Sequence, residues 1–189
     1  NLSLLAMKNK LSSVRVYIYM FYEKLACQYA NVVLVTSNKD KAHLIKSNQS
    51  NASKIFVRPN YIQTDIFKPI KSVKYEKRLI YVGRLHKEKN LFSLIDAIAK
   101  TSFTLDMYGE GHLKNKLIQY AQRKNARVNI KGKVENNRLP EILNKYNYYI
   151  ITSYFEGMPK TLLEAMSCGL ICIGTDVEGV NEILIHNEN

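Results

Sequence analysis

Tyr148-Tyr-Ile-Ile-Thr-Ser-Tyr-Phe-Glu-Gly-Met-Pro-Lys-Thr-Leu-Leu-Glu-Ala-Met-Ser-Cys168 is the stretch that decides the fold. Its first five residues are an apolar, β-rich run and read as a buried strand. Gly157 and Pro159 break the pattern, and Leu162 to Cys168 reads as the start of a helix. A strand, a Gly-containing loop and a helix together form an anion-binding arrangement. Free backbone N–H groups and the positive end of the helix dipole point at whatever sits in the loop. Glu156 and Glu164, eight positions apart, frame that loop. The layout suits a ligand with phosphate at its middle and hydroxyls at both ends.

The same strand-then-helix unit recurs upstream. Strand Leu79–Val82 precedes a helix from about Asn90 to Lys100. Strand Phe103–Tyr108 precedes a helix from about His112 to Lys124. Strand Val128–Ile130 precedes a helix from about Arg138 to Lys145. Downstream of the opening stretch come strand Ile171–Ile173 and a final helix near Val180–Ile185. Repeated β-α units with buried strands predict an α/β fold, a Rossmann-like doubly wound parallel sheet. Ligands in such sheets bind at the carboxyl ends of the strands.

Residues 1–58 read as the end of another, partial α/β domain. They carry a Tyr-rich helix from Leu11 to Tyr29, a strand Asn31–Thr36 and a helix to about Lys46 capped by Ser37 or Asn38. A strand Lys54–Arg58 follows. One βαβ piece is too little to bury both faces of a sheet. Residues 59–77 read as an interdomain linker, because Pro59 and Pro69 hold the chain extended. Residues 78–189 then form the second, doubly wound α/β domain.

The 189-residue chain carries a net charge of +12. The excess lies in the first third, where residues 1–69 hold ten Lys/Arg against three acids. A basic surface attracts nucleic acid, anionic lipid or a phosphorylated ligand, or is simply a solvated face. The basic residues are spread along the chain rather than gathered with aromatics, so nucleic acid is not the expected partner. Lys8, Lys10, Arg15 and Lys24 accompany the apolar residues of the first helix. Two readings stand there: peripheral contact with an anionic membrane, or an internal helix of an incomplete domain. No run long enough to span a bilayer is present. Cys27, Cys168 and Cys172 are sparse and odd in number, which suits a reducing cytoplasm. With four scattered His residues, no metal-ligand set emerges.

Three more strand ends carry chemistry. In Tyr81-Val-Gly-Arg-Leu-His-Lys-Glu-Lys-Asn-Leu91, Gly83 permits close backbone approach, and Arg84 and Lys89 can reach one diphosphate. A solvated basic loop is the competing reading. Tyr108-Gly-Glu-Gly-His-Leu113 is another glycine turn, with Gly109 leading it. It lacks the third glycine of a dinucleotide fingerprint and the acid about twenty residues on, which counts against an NAD-binding module. In Ile130-Lys-Gly-Lys-Val-Glu135, Lys133 and Val134 can offer backbone groups to a base.

Taken together these motifs resemble retaining GT-B glycosyltransferases, family 4. Glu156 to Glu164, continued through Ala165-Met-Ser-Cys-Gly-Leu170 and Gly174-Thr-Asp-Val-Glu-Gly179, follows that family's donor-sugar signature. Gly83-Arg84 with Lys89-Asn90 is similar to its phosphate loop. Pro59-Asn60 to Pro69 is similar to its interdomain segment, with Tyr61 where the pattern has Gly. The resemblance implies transfer of a hexose from a nucleoside diphosphate sugar, UDP- or GDP-linked, to a hydroxyl of a carbohydrate or lipid-linked acceptor. It implies polysaccharide, lipopolysaccharide or glycolipid synthesis in the cytoplasm, or at the inner face of the membrane.

By this resemblance Arg84 and Lys89 hold and stabilise the departing diphosphate, and no metal or other cofactor is expected. Glu156 contacts the transferred sugar, and Glu164 accepts the ribose hydroxyls. Gly157, Met158, Pro159 and Lys160 lie against sugar and phosphate, while Thr161 bonds phosphate or caps the helix. Gly83, Gly109, Lys133 and Val134 shape the nucleotide pocket. A glycosidase reading of the two glutamates gives the diphosphate loop no role. A sugar-nucleotide epimerase needs further acids and His residues around the sugar, and none form a set.

Overall fold

The computed structural model describes residues 13–48, 52–186 and 188. The chain divides into two compact units, with the boundary between Asn60 and Tyr61. Leu11, Lys8 and Lys10, which the sequence places in or beside the first helix, lie outside the described residues.

In the first unit, helix α1 (Ser13–Tyr29) is followed by strand β1 (Val33–Val35), helix α2 (Asn38–Asn48) and strand β2 (Ile55–Val57). The strands pair in parallel, Val33 opposite Ile55, and α2 supplies the crossover that parallel pairing requires. Ser37 caps α2, its Oγ accepting the Asp40 N–H at 3.0 Å. Lys54 Nζ donates to the Gln28 and Ala30 carbonyls at the end of α1, where the helix dipole favours a cation. Cys27, Leu44 and Ile55 form the small core. Most of the apolar surface of α1 is exposed, including Val14, Tyr17, Phe21 and Tyr22. No helix among the described residues is long and apolar enough to cross a membrane.

The second unit contains the expected alternation. Its elements are β3 (Arg78–Val82), α3 (Leu91–Ile98), β4 (Thr104–Tyr108), α4 (Lys114–Arg123), β5 (Val128–Gly132), α5 (Leu139–Leu143), β6 (Tyr148–Ile151), α6 (Lys160–Ser167) and β7 (Ile171–Gly174). The five strands are all parallel, in the order β5-β4-β3-β6-β7. The inner strands β3 and β4 are buried along their middles, whereas the edge strands β5 and β7 alternate between more and less exposed positions. A parallel sheet covered on both faces produces that contrast.

Strand periodicity assigns the two cores. Leu79, Tyr81, Leu105 and Met107 pack with Leu91, Leu94, Ile95 and Leu117 of α3 and α4. Ile80, Tyr149 and Ile151 pack on the other face with Leu139, Leu143, Leu162 and Ala165 of α5 and α6. Asp106 of β4 is fully buried, and it accepts bonds from Arg78 (2.9 Å), the Tyr146 hydroxyl (2.7 Å) and Asn129 (2.7 Å). A buried carboxylate needs that full set of donors. Burial pushes the Tyr146 hydroxyl pKa far up, and the bond from Arg78 raises the Arg78 pKa as well.

Two details differ from the sequence reading. From Tyr61 onward, the proline-bracketed segment belongs to the second unit. Phe67 enters the core, and the buried Asn144 amide accepts from Ile70 N (2.7 Å) and donates to Lys68 O (3.0 Å). The expected helix near Val180–Ile185 is a run of turns, held by Val180 N and Asn181 N on Val177 O and by Ile183 N and Leu184 N on Val180 O. Gly179, at φ +79, breaks the helical path just before it. A Cβ on Gly179 would lie 1.9 Å from Gly157 O, so this turn packs directly on the Glu156 loop.

Candidate active site

The sheet order reverses between β3 and β6, the neighbouring strands whose helices α3 and α6 lie on opposite faces. A crevice opens beyond the carboxyl ends at such a point. Here it is a cavity of about 570 Å3 lined by residues of the two strand ends and their loops, with Gly83, Arg84, Lys89, Glu156, Pro159 and Thr161 among them.

The β3 side is built on glycine. Gly83 N donates to Tyr108 O and Leu85 N to Glu110 O, both at 2.9 Å, so the loop after β3 stays zipped to the loop after β4. Gly109 makes this approach possible: its φ is +150, and a Cβ there would lie 1.8 Å from Gly83 O. Tyr81 OH donates to Arg84 O at 3.0 Å and fixes the backbone under Arg84. The Arg84 side chain is 69% exposed and rests 3.4 Å from Glu88 Oε1. Glu88 Oε1 also faces His86 Nδ1 at 3.6 Å, and the His86 ring leans on His112.

A short 3-10 turn, Lys87–Lys89, ends at Asn90 with a left-handed φ of 53°. It swings Lys89 toward β6. There the loops are stitched together: Thr152 Oγ1 donates to Lys89 O (3.0 Å) and Tyr154 N to Glu88 O (2.9 Å). Lys89 Nζ donates to Glu156 Oε1 at 2.6 Å, and the Ser153 hydroxyl donates to the same oxygen at 2.5 Å. The sequence assigns Lys89 and Glu156 to different parts of a ligand; in the structure they bond each other.

The β6 side ends in α6. Pro159 precedes the helix in an extended conformation, and Leu162 N donates back to Pro159 O at 3.1 Å. The N–H groups of a first helical turn lack partners within the helix, and Lys160 and Thr161 of that turn face the cavity. Thr161 makes no capping bond; its hydroxyl pairs with that of the buried Tyr149 at 2.8 Å. Burial pushes the Tyr149 hydroxyl pKa up, so this group stays neutral.

Of the residues singled out from sequence, Gly83, Arg84, Lys89, Glu156, Met158, Pro159, Lys160 and Thr161 line this one cavity. Gly109, Lys133, Val134, Gly157 and Glu164 do not. Gly109 backs Gly83, and Gly157 carries the turn at Gly179. Lys133 is exposed beyond β5, while Val134 packs on the α5–α6 core. Glu164 is 4% exposed on the second turn of α6, and burial raises its carboxyl pKa against a smaller opposing effect of Lys160. Its side chain has no hydrogen-bond partner among the described residues. Sequence reading missed Tyr81, Tyr149, Thr152 and Ser153, which hold the site residues from behind. Tyr81 and Tyr149 read only as strand residues, and Ser153 offers only its spacing, three before Glu156.

Among the described residues no group of three or more His, Cys, Asp or Glu is placed to hold a metal. Cys27 and Cys168 are buried and Cys172 half-buried, all as free thiols. Burial raises Cys168 to about 11 and Cys172 to about 12, which makes them inert.

Residues 62–189 match the family described as Glycosyl transferases group 1. The chain is 29% identical over 90% of its length to the UDP-Gal:alpha-D-GlcNAc-diphosphoundecaprenol alpha-1,3-galactosyltransferase of Escherichia coli. It is 32% identical over 85% of its length to the putative teichuronic acid biosynthesis glycosyltransferase TuaC of Bacillus subtilis. It spans 49% and 42% of those two proteins, about half of each. Among solved structures, the pneumococcal O-GlcNAc transferase GtfA, in complex with UDP and GlcNAc, superposes over 88% of this chain and 34% of its own. The TM-score is 0.77 at 25% identity.

Proposed function

Since the chain belongs to the Glycosyl transferases group 1 family and has the α/β fold of GT-B glycosyltransferases, we propose that it is the donor-binding part of a retaining hexosyltransferase. The donor is a nucleoside diphosphate sugar, with UDP favoured because the E. coli relative is named for UDP-Gal and GtfA holds UDP. The acceptor is a carbohydrate or lipid-linked hydroxyl, engaged at the cytoplasmic face of a membrane. Residues 1–60 end the acceptor-side domain, and residues 61–189, the second compact unit, bind the donor.

The observation that carries the reading is the cavity at the β3/β6 crevice. There Arg84, Lys89 and the amino end of α6 face one another across a space of about 570 Å3. That volume suits a sugar nucleotide's diphosphate and hexose. In the transfer, the bond between the sugar's anomeric carbon and the β-phosphate oxygen breaks, and its electron pair stays on that oxygen. The acceptor oxygen bonds the same carbon from the same face, and its proton passes to the departing phosphate. Arg84 and Lys89 stabilise the charge that grows on the diphosphate, the role a divalent cation plays elsewhere. Glu156 accepts hydroxyls of the sugar, and the buried Glu164 carboxylate accepts the ribose diol. Gly83, Gly109, Lys133 and Val134 shape the nucleotide pocket.

Calorimetric titration with UDP-, GDP- and ADP-sugars tests the reading. Saturable binding of one nucleotide class supports it. Absence of binding by all three contradicts it.

A further inference from the structure

We infer that Ser153 is the positioning residue that keeps Glu156 aimed at the donor sugar once the diphosphate engages Lys89. The inference rests on the donor-site reading above. Ser153 is 1% exposed and hydrogen-bonded at both its carbonyl and its hydroxyl. Its carbonyl accepts the Thr175 hydroxyl at 2.8 Å, which pins it to the end of β7. Its hydroxyl donates to Glu156 Oε1 at 2.5 Å. The residues on either side, Thr152 and Tyr154, are tied to the backbone of Lys89 and Glu88.

Glu156 therefore has both of its donors, Ser153 and Lys89, on a single carboxylate oxygen. The other oxygen, Oε2, has no hydrogen-bond partner among the described residues, and Glu156 lines the cavity. A carboxylate has about four acceptor positions, so Oε2 is the atom left for ligand hydroxyls. Lys89 is a flexible ammonium, and an arriving diphosphate carries more negative charge than one carboxylate. The phosphate draws Lys89 off or shares it. Ser153 is neutral, short and buried, so the phosphate gives it no reason to move. It then remains as the single anchor of the carboxylate plane. The division of labour is specific: Lys89 answers to the phosphate, Ser153 to the sugar.

The test is calorimetry on the 189-residue chain with UDP, GDP and ADP and with UDP-galactose, UDP-N-acetylglucosamine, GDP-mannose and ADP-glucose. The readout is the affinity of a sugar nucleotide relative to its parent diphosphate. In Ser153→Ala the affinity for the diphosphate stays within about twofold of the unaltered chain. The relative affinity for the sugar nucleotide falls about tenfold, the scale of one hydrogen bond to a charged group. In a Glu156→Ala background the same Ser153→Ala change costs nothing further, because the two residues act as one.

A purely structural serine gives a different pattern. Diphosphate and sugar nucleotide would then weaken by the same factor, or Ser153→Ala would cost as much without Glu156 as with it. Either result overturns the inference and leaves the donor site standing. Failure of the unaltered chain to bind any of the seven compounds overturns the donor-site reading, and this inference with it.

Discussion

Lys89 Nζ lies 2.6 Å from Glu156 Oε1, although 67 positions separate the two residues. Their side chains are only 15% and 11% exposed. The pair bridges the β3/β6 crevice with opposite charges, so the Lys89 cation is already in place and already paired. A ligand that binds there must compete for it.

Removing one partner leaves the other charge poorly solvated. Lys89→Ala should destabilise the fold by about 1–3 kcal/mol, the cost of stranding a charged group that had a hydrogen-bond partner. Urea denaturation measures this. Glu156→Gln should behave oppositely toward ligand, because it frees Lys89: UDP affinity is retained or rises, even as the sugar contribution falls. A Glu156→Gln variant that loses UDP as fully as Lys89→Ala would place both residues on the phosphate.

The glycine contact beneath the site is steric. In Gly109→Ala the new Cβ has no room beside the Gly83 carbonyl, at a φ that L residues rarely adopt. The loops after β3 and β4 must part, and stability should fall by about 2 kcal/mol or more. Thermal melting reads the loss. Gly111→Ala, with a Cβ meeting Leu85 O at 2.3 Å, should act in the same direction.

Glu164 makes a pH prediction. Its folded pKa is raised by burial. As pH climbs past the ordinary glutamate value, the unfolded chain releases this proton while the folded chain keeps it. Stability therefore falls across that window and levels off once the folded carboxyl also ionises. Glu164→Gln removes this part of the pH dependence, so the variant gains on the unaltered chain as pH rises. If Glu164 holds the ribose diol, the variant also weakens UDP by about tenfold. It should then weaken 2′-deoxy-UDP much less, because the partner hydroxyl is already missing. Urea titrations at a series of pH values and calorimetry with the two nucleotides separate the effects.

Metal dependence follows from the same charges. On the proposed reading Arg84 and Lys89 supply two positive groups to one diphosphate, so a chelator such as EDTA should leave UDP affinity within about twofold. A loss of binding in EDTA that magnesium or manganese restores would assign the charge to a metal instead.

Much of this was legible in sequence because it is periodic or local. The inner strands β3, β4 and β6 announce themselves as largely apolar runs, and glycines beyond the strand ends mark the loops that carry Arg84 and Glu156. Parallel sheet logic then places both loops on one side. What periodicity does not carry is who bonds whom across loops. The Lys89–Glu156 pair depends on two strands being neighbours, and the role of Ser153 depends on the turn between it and Glu156. Asp106 sits in a strand that reads as apolar, and only folding brings Arg78, Tyr146 and Asn129 around it. Residues 59–77 read as linker because Pro59 and Pro69 hold the chain extended. Extended chain can still pack, and Asn144 holds it down. The stretch near Val180–Ile185 has helical composition, but the turn at Gly179 must fit against Gly157, and that fit leaves two turns in place of a helix.

The central claim is that Arg84 and Lys89 converge on a donor's diphosphate. The most direct measurement is calorimetry of UDP, with uridine as the control, against the unaltered chain, Arg84→Ala and Lys89→Ala. The account predicts that each substitution lowers UDP affinity by about tenfold or more and leaves the weak binding of uridine unchanged. Full UDP affinity in both variants would contradict it.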